Sequence, residues 1–125
     1  MTTFNRIVSE SLTEAGATLE FVAETEELVS CGYRIDPTAS VGEHVSTVAA
    51  AFTLAVREGR TGGHLMAHVY PGDADTPAAG YCIDADWARS YVLGDASEQD
   101  LIERIFGTLR RAGSDGRHVP AFPRQ

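Results

Sequence analysis

One stretch near the middle of the chain, Ser40–Gly59 (SVGEHVSTVAAAFTLAVREG), limits what everything around it can fold into. Val41, Val45, Val48, Phe52 and Val56 recur at spacings of four and three, which places them on one face of an α-helix. Ser40 followed by Glu43 has the spacing of a capping box, in which the Ser oxygen accepts an orphan backbone N–H and the Glu reaches back. Gly59 offers a left-handed stop. A helix with one such stripe needs an apolar surface to lie on, and the flanking segments supply it.

On the N-terminal side, Phe4, Ile7, Val8, Leu12 and Ala15 mark an amphipathic helix capped by Thr2 or Thr3 and stopped by Gly16. Ala17, Leu19, Phe21 and Ala23 then alternate with Thr18, Glu20 and Val22, the period of a half-buried strand. After a charged turn at Glu24–Glu27, a second strand over Leu28–Ile35 puts Val29, Cys31, Tyr33 and Ile35 on one face, which predicts a hairpin. Gly32 inside that strand signals a bulge or a close neighbour. On the C-terminal side, Leu65, Ala67 and Val69 alternate with His64, Met66, His68 and Tyr70. A Pro/Gly/Asp loop leads to a fourth strand at Ala79–Asp84. Asp84 or Asp86 caps a short helix carrying Trp87, Tyr91 and Val92. Ser97 with Asp100 opens the last helix, striped by Leu101, Ile102, Ile105, Phe106 and Leu109. Arg104, Arg110 and Arg111 suit that helix's last turns, where cations complement the macrodipole.

The predicted order is therefore α-β-β-α-β-β-α-α: an α+β domain with one four-stranded antiparallel sheet and helices packed mainly on one face. The central helix is the crossover between the two hairpins. Residues 1–112 form the single domain, and 113–125, with two prolines and no period, form a flexible tail. On the second sheet face the pattern leaves Val22, Leu28, Met66 and Tyr70, which is apolar enough to call for a partner. A homodimer is expected there.

A chain of 125 residues suffices for one domain and for a core that needs neither metal nor disulfide. Its formal net charge of −8 argues against nucleic acid and anionic membranes as partners. Every cation is arginine, which, with the acid excess, points to a GC-rich source, either salt-adapted or of an ordinary actinobacterial type. Cys31 and Cys82 fit no C-x-x-C pattern and sit among apolar residues, so both are expected reduced and structural. No run approaches the roughly 18 apolar residues that span a bilayer. The first residues lack a basic segment followed by an apolar one, so a cytoplasmic location is expected.

Candidate chemistry is sparse. His64 and His68 share a strand face but stand about 13 Å apart at 3.3 Å per residue, too far to share one zinc ion. Asp73, Asp75, Asp84 and Asp86 lack the order and the bidentate Glu of a calcium loop. Gly59–Gly63 follows a helix and precedes a strand, the reverse of a phosphate cradle. No G-x-S-x-G occurs, and both cysteines lie within strands. No catalytic, cofactor-binding or metal-ligating residue is assigned, and no cofactor is expected.

Val41-Gly42-Glu43 through Val48-Ala49-Ala50-Ala51-Phe52 are joined by Asp86-Trp87-Ala88-Arg89-Ser90-Tyr91, Gly94, Ser97-Glu98, and Glu103-Arg104-Ile105 with Thr108-Leu109. Over roughly residues 5–112 this pattern resembles a family of small haloarchaeal domains of unknown function. The resemblance implies no activity and carries no functional residue. In topology alone the predicted fold is similar to that of acidic, dimeric secretion chaperones, with helices flanking a small antiparallel sheet. The leading expectation is a non-enzymatic, adaptor- or chaperone-like interaction module. It would self-associate, or take a protein partner, through the sheet face or the Arg-containing tail. The competing expectation is a small-molecule-binding or enzymatic domain whose site, between the sheet and the C-terminal helices, uses His64, His68, Tyr70 and Asp84.

Overall fold

Helix α1 (Thr3–Glu14) ends where the sequence says it should, because Gly16 adopts φ +92°, a conformation that L side chains resist. The Ala17 N–H then donates to the Leu12 carbonyl at 2.8 Å, and both residues are buried, which closes the helix end and turns the chain into the sheet. The computed structural model describes residues 3–59 and 63–111. After α1 follow β1 (Thr18–Glu24), β2 (Leu28–Ile35), α2 (Val45–Arg57), β3 (His64–Pro71) and β4 (Ala79–Ile83). Then come α3 (Ala85–Val92), α4 (Glu98–Phe106) and a two-residue β5 (Arg110–Arg111). The tail assigned to 113–125 lies outside the described residues.

The fold is mixed α+β with four helices, but the sheet differs from expectation in three respects. It has five strands in the order β1-β2-β3-β4-β5. The extra strand comes from Arg110 and Arg111, which pair with Gly80 and Ala79 instead of extending α4. Their helix stops at Phe106, and the Thr108 hydroxyl accepts the Cys82 N–H at 2.8 Å, drawing the departing chain onto β4. Second, the sheet is not wholly antiparallel. Strands β2 and β3 run parallel, with Leu28 opposite His64 and Ile35 opposite Pro71. The 13-residue α2 explains this. It spans about 20 Å and, with the connections at its two ends, returns the chain along the roughly 26 Å of the strand before it to the end where β2 began.

The third difference is a β-bulge. Leu19 pairs with Tyr33 and Phe21 with Gly32, so Glu20 has no partner in the ladder. One extra residue reverses the faces of everything after it. Phe21 turns away from the helices, and Val22, expected on the open face, packs against the core opposite Cys31. Val22 therefore does not share a face with Leu28, Met66 and Tyr70. Gly32 makes the inversion feasible, since any Cβ there would run into the Phe21 ring.

The core is one cluster between the sheet and the helices: Phe4, Val8 and Leu12 from α1, Val45, Val48 and Phe52 from α2, and Leu101 and Ile105 from α4. They meet Val29, Cys31, Tyr33, Leu65, Val69 and Tyr81 from the strands. Phe4 and Phe52 pack edge to face at 6.0 Å. The hydroxyls of Tyr33 and Tyr81 satisfy each other at 2.8 Å, and burial pushes both phenols well above their usual range. Helix α2 begins at Val45 without a side-chain cap, because Ser40 Oγ accepts from the Gly42 N–H at 3.3 Å. By contrast the Ser97–Asp100 capping box forms in both directions, and Asp84 caps α3 through the Asp86 N–H. Among the described residues no helix is long and apolar enough to cross a membrane.

Candidate functional site

With the helices all drawn to one side, the strand residues of opposite parity form a second face, and the ladder register lays them out in rows. The central row is Phe21–Gly32–His68–Gly80–Arg110. Beside it runs Ala23–Ser30–Met66–Cys82, and beyond that Leu28 opposite His64. The middle of the face is thus built from small side chains, with Phe21, Met66 and His68 standing above them. Phe21 is 39% exposed, and its ring lies over Gly32 and tilts toward His68 at 6.4 Å. Burial holds the His68 imidazolium down, and its Nδ1 is enclosed without a hydrogen-bond partner.

The far end of the face is closed by Arg34. Its guanidinium lies 5.3 Å from the centre of the Tyr70 ring, and Nη1 donates to the carbonyls of Gly72 (2.7 Å) and Ala74 (2.9 Å). Its Nε sits 3.3 Å from Glu20, the bulged residue, and neutralises it. The near end is closed by His64, whose Nδ1 accepts the Ala85 N–H at 2.9 Å and lies 3.4 Å from Asp84 Oδ1. Asp84 is buried and spends Oδ1 on the N-terminus of α3.

Of the four residues expected to share a pocket, His64 and Asp84 are therefore in contact. His68 and Tyr70 lie about 13 and 20 Å further along the same strand face. They do not converge on one point. Of the four expected interface residues, Leu28, Met66 and Tyr70 share the open face, and Val22 does not. Pattern reading missed Phe21 on that face. The signal was present in the adjacent pair Phe21-Val22 facing a glycine, which breaks strict alternation. Cys31 and Cys82 are both free and buried, and burial pushes each thiol up to about 12, which removes them as nucleophiles. Among the described residues no three His, Cys, Asp or Glu side chains are gathered where they could hold a metal ion.

On the opposite side of the molecule a cleft of about 580 Å³ opens between α2 and the α3–α4 connection. Ala50, Thr53, Leu54 and Arg57 form one wall; Tyr91, Val92, Gly94 and Ala96 form the other. A small extension of about 60 Å³ continues it past Ser46 and Glu98. None of His64, His68, Tyr70 and Asp84 lines it. A second stripe on α2, small residues ending in an arginine, was the sequence trace of this cleft.

Fold and faces together define a small α+β domain in which a layer of helices covers one face of a five-stranded sheet. More particularly, residues 2–115 match the family described as a domain of unknown function, DUF8159, and the chain belongs to that family. No curated protein and no solved structure matches it.

Proposed function

We propose that this protein is a cytoplasmic, non-enzymatic interaction module that works as a homodimer, two copies packing the open faces of their sheets together. One observation carries the reading. The face made by Phe21, Leu28, Ser30, Met66 and His68 holds mainly apolar and small side chains, and two carboxylates at its ends are engaged, Glu20 with Arg34 and Asp84 with the N-terminus of α3. In a chain with 18 acidic residues and a net charge of −8, two copies repel each other over most of their surface. This face is where that repulsion is weakest and the apolar gain largest.

Size supports the same partner. Four strands about 4.8 Å apart and eight residues of about 3.3 Å give a face of roughly 500 Å². Two such faces bury about 1,000 Å², the low end of specific interfaces, which suits a weak, reversible dimer. A two-fold axis makes the contact self-complementary, and sheets packed face to face interdigitate their side chains. A neutral His68 suits such a dry contact. The acid excess and the lack of lysine support a haloarchaeal source, where salt screens the remaining repulsion.

Sedimentation velocity over a micromolar concentration series tests the reading. The expected result is a species of twice the 13.4 kDa chain mass, returned to one chain by Met66→Glu. A single-chain mass for the natural protein at every concentration sinks it.

A further inference from the structure

We propose that the cleft between α2 and the α3–α4 connection is a binding site for an amphiphilic organic anion, a carboxylate carried on an aryl or alkyl body, with Arg57 as its anion anchor. The inference is independent of the sheet-face contact, because the cleft lies on the helical side. At about 580 Å³ it falls within the range of small-molecule sites. Its walls are suited to an apolar body: Ala50, Leu54 and Val92 present hydrocarbon, and Gly94 and Ala96 leave the space open. Thr53 adds no free donor, since its hydroxyl is returned to the Ala50 carbonyl at 3.0 Å.

The charge at the rim selects the ligand. Acids outnumber arginines 18 to 10, and Arg6, Arg34 and Arg89 each hold a carboxylate within 3.4 Å. Arg57 lines the cleft and, among the described residues, has neither an ion pair nor a hydrogen bond. Arg104, Arg110 and Arg111 likewise hold no carboxylate among the described residues, but of these four arginines only Arg57 lines the cleft, which sets an uncompensated guanidinium at its rim. The Tyr91 hydroxyl, on the facing wall, is likewise unengaged among the described residues. Guanidinium and phenol on opposite walls suit a carboxylate, and the fork of Arg can take both of its oxygens.

The probe is 4-phenylbutyrate, titrated into the full chain and followed by amide shifts in ¹H–¹⁵N spectra, with neutral 4-phenylbutanol as comparison. Saturable shifts clustered at Ala50, Leu54 and Gly94 are expected below about 10 mM, with the alcohol about fivefold weaker. Arg57→Gln should cost the same about fivefold for the acid and Arg57→Lys less than that. Ala50 is exposed, so Ala50→Leu fills the cleft without touching the core and should abolish the shifts. No saturable shift at that concentration, equal binding of acid and alcohol, binding that survives Ala50→Leu, or shifts centred on Phe21, Met66 and His68 would each overturn the assignment.

Discussion

Replacing Phe52 by alanine removes the side chain through which α2 grips the rest of the fold. Phe52 is wholly buried in the core cluster from the middle of α2 and meets the Phe4 ring edge to face at 6.0 Å. Truncating a buried phenylalanine costs about 3–5 kcal/mol, combining lost transfer energy with a cavity that helices and sheet cannot close. Against a total stability of about 5–15 kcal/mol this is a large fraction. For a 125-residue domain it corresponds to a fall in Tm of about 10–20 °C. Urea unfolding followed by circular dichroism reads the loss directly, with an unchanged slope showing that the two-state comparison holds. The edge-to-face contact is isolated by a cycle with Phe4→Ala, where a coupling of about 0.5–1.5 kcal/mol is expected. A loss below about 1 kcal/mol for Phe52→Ala would mean that the helix does not seat this face on the sheet, and the crossover reasoning would fall with it.

Gly32→Val should destabilise by about 1–3 kcal/mol in thermal melts, because the new side chain displaces the Phe21 ring; Phe21→Ala in the same chain should restore part of the loss. His68 is held neutral by burial, so the unfolded chain binds its proton first as pH falls. The stability it protects is complete above the ordinary histidine pKa of about 6.5 and declines below it, down to the lowered folded value. Denaturation midpoints for His68→Gln should decline less through that window, and identical slopes would refute the placement. Both cysteines should resist a disulfide reagent at pH about 8 in the folded protein and react at once in guanidinium; fast reaction of the folded chain would contradict their burial.

Much of the site's material was legible from local pattern. The alternation of His64, Met66, His68 and Tyr70 with Leu65, Ala67 and Val69 assigned both faces of β3, because a strand's period is set by its own backbone. Gly16 and the Ser97–Asp100 box marked helix ends for a similar reason: the groups that satisfy those ends lie within one turn. Where local chemistry had competitors, it misled. Ser40 had a nearer donor at Gly42, and Gly42 itself is held small by the Phe106 ring from a helix sixty residues on. The cleft went unread because it is a gap between two helices, and the small residues that make it look like ordinary helix formers in the chain.

The amino-acid sequence by itself determined the four helices and the first four strands to within a few residues, which stripe of α2 is buried, and a composition that is acidic and lysine-free. Periodicity, short-range hydrogen bonds and charge count suffice for these. Only the tertiary structure decided the direction of β3, the bulge at Glu20, the capture of Arg110 and Arg111 as a fifth strand, and hence which side chains share the open face. Those depend on pairing between residues far apart in the chain. There a one-residue slip exchanges core for surface, and packing of the whole layer, not the preference of any residue, selects the register.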